Sequence, residues 1–303
     1  MKNNIKKRLV IGDIHGHIEP FKTIYEKEDP DDVIILGDYF DSFHGSDEEI
    51  INCFKTIVKM KKNHTKGEFV MLIGNHDFHY MDLSEHYSGK RKSYELAVST
   101  LLDNERENLQ YFYIDDINKT VYSHAGIMNA WLSENRLFIN DLHDLENIDE
   151  SKFKFTFRGG DSGFGDGPYA SPIWVRPSTL VEDMYKDESG WIWTQIVGHT
   201  SSKTSRIYCG KSMEKQLGSH SYKYSQDANG LLEQYELPEW PFLYVVDSMP
   251  YYYIIEEIDS ISEKLIYREV KSNNINGKTR TDTVNERINE LYKLVIEKME
   301  KTN

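Results

Sequence analysis

A chain of 303 residues, 39% hydrophobic and 13% aromatic, can bury one large core or two smaller ones, which excludes disorder as its general state. A formal net charge of −14 opposes a nucleic-acid backbone, and the short basic runs at 59–62 and 90–92 fit solvated helix faces. Two cysteines with no spacing partner suggest neither a disulfide framework nor a structural zinc site, and no apolar run near the basic start is long enough for a signal peptide or a membrane span, so a soluble cytoplasmic protein is expected.

Leu9, Val10 and Ile11 predict a short buried strand that Gly12 ends. Asp13 and His15 follow two positions apart, so in extended chain they project to one side, just past the carboxyl end of the strand. Open α/β sheets carry their sites there. Ile18, Phe21, Ile24 and Tyr25 share one face of a helix over 18–28, which Asp29-Pro30-Asp31 breaks. Val33 to Leu36 predict a second strand, parallel to the first, and Gly37-Asp38-Tyr39-Phe40-Asp41 leaves the sheet at the same end. A helix over 48–62 faces inward with Ile50, Ile51, Phe54, Ile57 and Val58, and Cys53 is a small core residue within it. A third strand over 69–73 runs into Gly74-Asn75-His76-Asp77.

Helices are expected over 80–86 and 92–104, and paired strands over 111–114 and 119–122, the second leading into His124. The polar stretch 129–150 is read as a helical cap within a cap and loop region spanning 127–170. Residues 158–167 form a Gly- and Asp-rich loop, whose Asp161 and Asp166 are simple loop carboxylates. A helix follows over 179–186, then a strand over 193–197 ending in Gly198-His199-Thr200. Residues 201–240 are read as an insertion, and strands over 242–247, 251–257 and 264–270 close the domain, which occupies 1–270. Residues 271–303 are a linker and an amphipathic helix, with Thr283 and Glu286 as a capping box and Val284, Ile288, Leu291 and Val295 as its apolar stripe.

Asp13, His15, Asp38, Asn75, His124 and His199 together make a set of oxygen and imidazole ligands without a thiolate. Such a set suits Mn²⁺, Fe²⁺ or Zn²⁺. Six ligands exceed what one ion with open positions needs, so two divalent ions sharing a carboxylate are expected. Two ions roughly 3.5–4 Å apart can activate water and clamp a phosphate for in-line displacement.

The ordered motifs Gly12-Asp13-Ile14-His15-Gly16, Gly37-Asp38-Tyr39-Phe40-Asp41 and Gly74-Asn75-His76-Asp77, then His124, then Gly198-His199-Thr200, resemble those of the calcineurin-like metallophosphoesterases. Within that superfamily the chain looks most like the phosphoprotein phosphatases of bacterial and phage type, over about 9–257. The resemblance implies an α/β fold, a four-layer α-β-β-α sandwich of two mixed sheets flanked by helices. It implies that Asp13 and His15 hold one ion, that Asp38 bridges, and that Asn75, His124 and His199 hold the second, with Mn²⁺ the expected metal. His76 would protonate the leaving oxygen, Asp41 would orient it, and Arg176 would bind phosphate together with Asn75 and His76. One departure is plain: the family's second loop commonly ends Asp-Arg-Gly, where this chain has Asp41-Ser42-Phe43. Arg158 or His44 could take over that arginine's grip. The expected activity is hydrolysis of phosphoserine or phosphothreonine in proteins. Dinucleoside polyphosphate hydrolysis and an inactive phosphate-binding scaffold are the alternatives. The expected partner is the phosphorylated protein or a small phosphoester, without nucleic acid or membrane.

Overall fold

Successive residues of a strand point to opposite faces of its sheet, and in this chain both faces are covered. The computed structural model describes residues 5–42, 45–85, 87–138, 142–155, 164–184, 191–200, 206–209, 242–246 and 252–272. Strand β1 (Ile5–Ile11), helix α1 (Ile18–Glu28), β2 (Asp32–Ile35), α2 (Asp47–Asn63) and β3 (Phe69–Leu72) follow in order, with β1, β2 and β3 parallel neighbours. A two-residue β4 (Leu109–Gln110) extends that edge, while β10 (Tyr252–Asp259) and β11 (Leu265–Ser272) add antiparallel strands on the other. The first sheet therefore runs β11-β10-β1-β2-β3-β4. The second contains β5 (Phe112–Asp115), β6 (Thr120–Ser123), β7 (Thr194–Val197), β8 (Arg206–Cys209) and β9 (Phe242–Val245), in the order β5-β6-β7-β9-β8. Its β6, β7 and β9 are parallel, and β5 and β8 are antiparallel edges.

Two apolar cores show how the layers stack. Val10, Ile34, Leu36, Val70 and Leu72 of the first sheet meet Tyr122, Ile196, Tyr244 and Val246 of the second between the sheets. The alternate residues Leu9, Ile11, Val33, Ile35 and Met71 pack outward against Phe21, Ile24, Phe54 and Ile57 of α1 and α2. On the far side, Val121, Val197, Leu243 and Val245 belong with Trp131 of α5 (Asn129–Glu134) and Leu180 of α6 (Pro177–Met184). Burial on both faces explains why these strands read as unbroken apolar runs. The fold is α/β, with two mixed sheets flanked by helices, as the resemblance implied. Among the described residues no helix is long and apolar enough to cross a membrane.

Several local expectations are corrected. The helix expected over 80–86 starts earlier: α3 is Asn75–Met81, because the Asp77 carboxylate reaches back to accept the Gly74 N–H at 2.9 Å and fastens the first turn to the end of the site loop itself. The helix expected from 92 is α4 (Glu95–Asn104). The region 129–150 is mostly not α-helical. After α5 come two 3₁₀ segments, Leu142–Asn147 and Glu150–Phe153. Nor is it a polar cap: Trp131, Leu132, Leu142 and Leu145 are core residues, and just beyond it the core residue Phe153 stacks on Tyr111 with ring centroids 3.8 Å apart. Helix α6 begins two residues before its expected start because Pro177 suits a first turn, where its missing N–H costs nothing. The stretch read as an insertion contains β8, a strand of the second sheet. Strand β11 takes in Lys271 and Ser272, which were read as linker. Arg158, His44, Asp161, the rest of the insertion beyond β8 and the capped tail helix lie outside the described residues.

Candidate metal centre and active site

Five parallel strands deliver the polar residues from their carboxyl ends. Asp13 follows β1, Asp38 follows β2, Asn75 follows β3, His124 follows β6 and His199 follows β7. Close backbone approach makes their convergence possible. A Cβ on Gly74 would lie 2.1 Å from Asp38 Oδ1, and one on Gly198 would lie 2.5 Å from Asp13 Oδ1. Only hydrogen fits where these carboxylates pass. His15, Asp38, Asp41 and His199 all sit in left-handed backbone, at φ 43°, 53°, 60° and 64°. Such residues are strained and tend to cluster at functional sites.

Asp13, His15 and Asp38 form one set of ligand atoms within 4.8 Å of one another, and Asp38, His124 and His199 form a second. Asp38 is common to both. His15 Nε2 lies 3.8 Å from Asp13 Oδ2 and 3.7 Å from Asp38 Oδ2, while His124 Nε2 lies 3.4 Å from Asp38 Oδ2. Asn75 Oδ1 is 2.9 Å from both His124 Nε2 and His199 Nδ1.

The outer nitrogens of the three rings decide what the inner ones can do. His15 Nδ1 is 2.7 Å from the Phe40 carbonyl, His124 Nδ1 is 2.9 Å from the Leu36 carbonyl, and His199 Nε2 is 3.0 Å from the Trp174 carbonyl. A carbonyl only accepts, so each of those nitrogens carries the proton. In the neutral rings of His15 and His199 the inner nitrogens are then bare lone pairs facing carboxylate and amide oxygens. Lone pairs facing lone pairs repel, and a cation among them turns that repulsion into coordination. Ring N–H groups tied to backbone carbonyls are also the usual support of metal-bound histidines. The donor set therefore fits divalent metal.

Electrostatics agrees. Burial lowers the basicity of His15, and burial together with His124 and Arg176 holds His199 well below the ordinary imidazole range, so both are neutral. At His124 burial also opposes charge, but Asp38 outweighs it and raises the ring to about 9. That is a site where negative potential invites a positive charge.

Beside this cluster, His76 Nδ1 lies 3.0 Å from Asp41 Oδ2, and the His76 backbone N–H donates to Asp38 Oδ1 at 2.8 Å. Burial pushes His76 down, but Asp38 and Asp41 win and hold it at about 8. Burial pushes Asp41 up, but His76 and His79 hold it at about 2. The pair is thus a charged imidazole on an ionised carboxylate, the form a proton donor needs. Asp77 is buried and accepts from the backbone N–H groups of Asp38, Tyr39 and Gly74. It ties the second and third site loops together. Arg176 Nε donates to the Phe164 carbonyl at 2.5 Å and Nη1 to Thr200 Oγ1 at 3.2 Å, which places the guanidinium beside the His199 loop.

All six candidate ligands are therefore brought together, with His76 and Asp41 adjoining them. Ser42 brings no arginine to the end of the second loop, but the guanidinium of Arg91 donates to the Ser42 carbonyl and pairs with Asp47 at 2.9 Å. The sequence reading missed His79, Tyr80 and Tyr94, which surround Asp41. A signal was present: His79 and Tyr80 stand three and four positions after His76, on one face of any helix that starts at the loop.

Residues 6–216 match the family model described as calcineurin-like phosphoesterase. The structure is similar to that of a protein serine/threonine phosphatase from Saccharomyces cerevisiae, at 14% identity, over 90% of this chain and 81% of that one, with a TM-score of 0.47. It is also similar to a cold-active protein tyrosine phosphatase, at 17% identity, over 88% of this chain and 78% of that one, with a TM-score of 0.49. No curated protein sequence matches the chain significantly.

Proposed function

The chain belongs to the calcineurin-like phosphoesterases and is a metal-dependent hydrolase, and we propose that it removes phosphate from phosphoserine or phosphothreonine in proteins by a two-metal mechanism. The observation that carries the reading is Asp38, shared between two ligand sets, with the His76–Asp41 pair hydrogen-bonded alongside. Asp13 and His15 would hold one ion, Asn75, His124 and His199 the other, and Asp38 both. Mn²⁺ is the proposed metal, since hard oxygen and imidazole donors suit it. Two divalent cations, when bound, supply positive charge to the phosphate and lower the pKa of water toward about 7.

The protein's own groups do the rest. Arg176 can take two phosphate oxygens through a planar fork that a lysine lacks. His76, held through Nδ1 by Asp41, presents Nε2 to the departing oxygen. As water adds to phosphorus and the ester P–O bond breaks, that oxygen takes the Nε2 proton and leaves as the alcohol. A general acid of this kind contributes roughly 10²–10⁴-fold. The preference for a phosphoprotein rests on the resemblance of the motifs to phosphoprotein phosphatases, and the cytoplasm is the proposed compartment.

The test is turnover of 4-nitrophenyl phosphate and of a phosphoserine peptide by purified protein with Mn²⁺. Activity that falls at least about 100-fold in Asp38→Asn and in His76→Ala on the peptide supports the reading. An inactive wild type, or variants that match it, refutes it. Ser42, in place of the family arginine, favours a second reading, hydrolysis of a dinucleoside polyphosphate. Faster turnover of diadenosine tetraphosphate than of the peptide would select it.

A further inference from the structure

The Asp41 carboxylate has four side-chain partners, and none of them is among the six candidate ligands of the metal centre. Oδ2 faces two imidazoles, His76 Nδ1 at 3.0 Å and His79 Nε2 at 2.5 Å. Oδ1 accepts two phenol hydroxyls, from Tyr80 and, at 3.0 Å, from Tyr94. The network closes on itself, because the Asp41 backbone N–H donates to the Tyr94 hydroxyl at 3.2 Å and the Arg91 backbone N–H donates to the Tyr80 hydroxyl at 2.8 Å. The carboxylate is 2% exposed, and with four side-chain partners it has no room for water or substrate.

His79 needs the closest account. It is fully buried, and neither ring nitrogen makes a well-formed hydrogen bond among the described residues. The approach of Nε2 to Asp41 is close but bent. The ring is clamped in that pose, stacked on Tyr87 at 5.7 Å and edge-on to Tyr80 at 4.4 Å. An apolar side chain of the same shape would fill this space without stranding two polar nitrogens, a cost of about 1–3 kcal/mol per buried group. Among the described residues, the ion-pair partner that repays an imidazole here is Asp41.

We infer that His79, Tyr80 and Tyr94 are positioning residues that fix the Asp41 carboxylate, and through it the orientation of His76, for proton delivery to the leaving oxygen. The inference rests on the assignment of His76 as that proton donor. One short helix carries much of the device. Helix α3 supplies Asn75 to the metal centre, His76 to the chemistry and His79 and Tyr80 to Asp41, and the chain returns at Tyr94 to close the cage.

The test compares substrates that differ in their need for a proton. The leaving group of 4-nitrophenyl phosphate departs without one, and that of a phosphoserine peptide does not. The readout is the ratio of kcat on the first to kcat on the second, with KM measured on both. In His79→Leu and Tyr94→Phe that ratio should rise about tenfold or more, KM should be unchanged, and His79→Gln, which keeps an N–H near the Nε2 position, should restore most of the peptide rate. His76→Ala is the reference and should raise the ratio further. Tyr94→Phe keeps the ring stacked on Tyr80 at 5.5 Å and carries the test if His79→Leu does not fold. Equal losses on both substrates, or a change in KM alone, would mean a merely structural role and overturn the inference. A rise in the ratio with His76→Ala but not with His79→Leu or Tyr94→Phe overturns the inference and leaves the proton donor standing. No rise with His76→Ala overturns both.

Discussion

Gly74→Ala perturbs the centre without replacing a ligand. The new methyl would sit 2.1 Å from Asp38 Oδ1, 2.8 Å from Asp38 Cγ and 2.6 Å from the Asp38 backbone nitrogen, against an ordinary contact of 3.4 Å or more. The backbone of residue 38 cannot retreat cheaply. Its N–H donates to Asp77 Oδ2 at 2.8 Å, and its carbonyl accepts from the N–H groups of Ile14 at 3.0 Å and His15 at 2.7 Å. Swinging the carboxylate away relieves only the side-chain contacts, so the backbone nitrogen must shift too, and together these break the 2.8 Å bond from the His76 N–H and move the ligand common to both sets by over an ångström. Misplacement of that size costs about 100-fold in rate, and forcing a methyl into a packed site costs about 1–3 kcal/mol of stability. Gly198→Ala strikes the other carboxylate, since its Cβ would lie 2.5 Å from Asp13 Oδ1. The assays are Mn²⁺ content by mass spectrometry, turnover and thermal melting. Gly74→Ala should fold, bind fewer ions and lose about two orders of magnitude in turnover. A variant with full turnover and two tightly held ions would refute the claim that this contact sets the bridging carboxylate.

Removing divalent metal should lower the melting temperature, because buried Asp13 and Asp38 then face each other and the bare ring nitrogens of His15 and His199 without the cations that would offset them. At Mn²⁺ about 100-fold above its Kd the gain is about 2.7 kcal/mol per site, or roughly 4 °C for each ion in a chain of this length, read by calorimetry with and without chelator. Glu256→Ala should cost about 3–5 kcal/mol in a denaturant melt. Its carboxylate is fully buried between Arg8 at 3.2 Å and Arg268 at 2.6 Å, and although Arg8 keeps Asp115 at 2.9 Å, two buried cations would lose the anion they share. Burial pushes the Cys53 thiol up to about 12. Its reactive thiolate is therefore roughly one part in 10⁴ at pH 8, and iodoacetamide should mark Cys53 in peptide maps only after unfolding. Labelling of the native protein would contradict the α2 packing.

The strands with both faces buried were legible because such strands must be apolar throughout, and Val33 to Ile35 or Phe69 to Leu72 admit little else. The ligands were legible because each stands just after such a run. What sequence hides is pairing. Leu109 and Gln110 form a strand only because Met71 and Leu72 lie alongside, and Arg206 to Cys209 become one only by pairing with Phe242 to Val245. Phe153 falls in a stretch read only as cap and loop because its partner Tyr111 is far away in sequence. The role of His79 stays hidden in sequence for the same reason: its meaning depends on Asp41, delivered by another loop.

The strained backbone and the repelling lone pairs have one cause. To aim side chains from five strand ends at one volume, the loops must turn at once, and His15, Asp38, Asp41 and His199 turn in the left-handed region at the cost of about 1–3 kcal/mol each. Each turn is fastened by a bond the fold supplies elsewhere. The Asp38 carbonyl receives the His15 N–H, Asp77 receives the Asp38 N–H, Tyr94 receives the Asp41 N–H, and Asp13 Oδ1 receives the His199 N–H at 3.0 Å. The last bond makes a carboxylate assigned to one ion the anchor for a histidine assigned to the other. Asp38 couples the two ligand sets through its side chain, and Asp13 couples them again through the backbone of residue 199. Neither half of the centre can relax alone, so loss of a ligand on either side should disturb both.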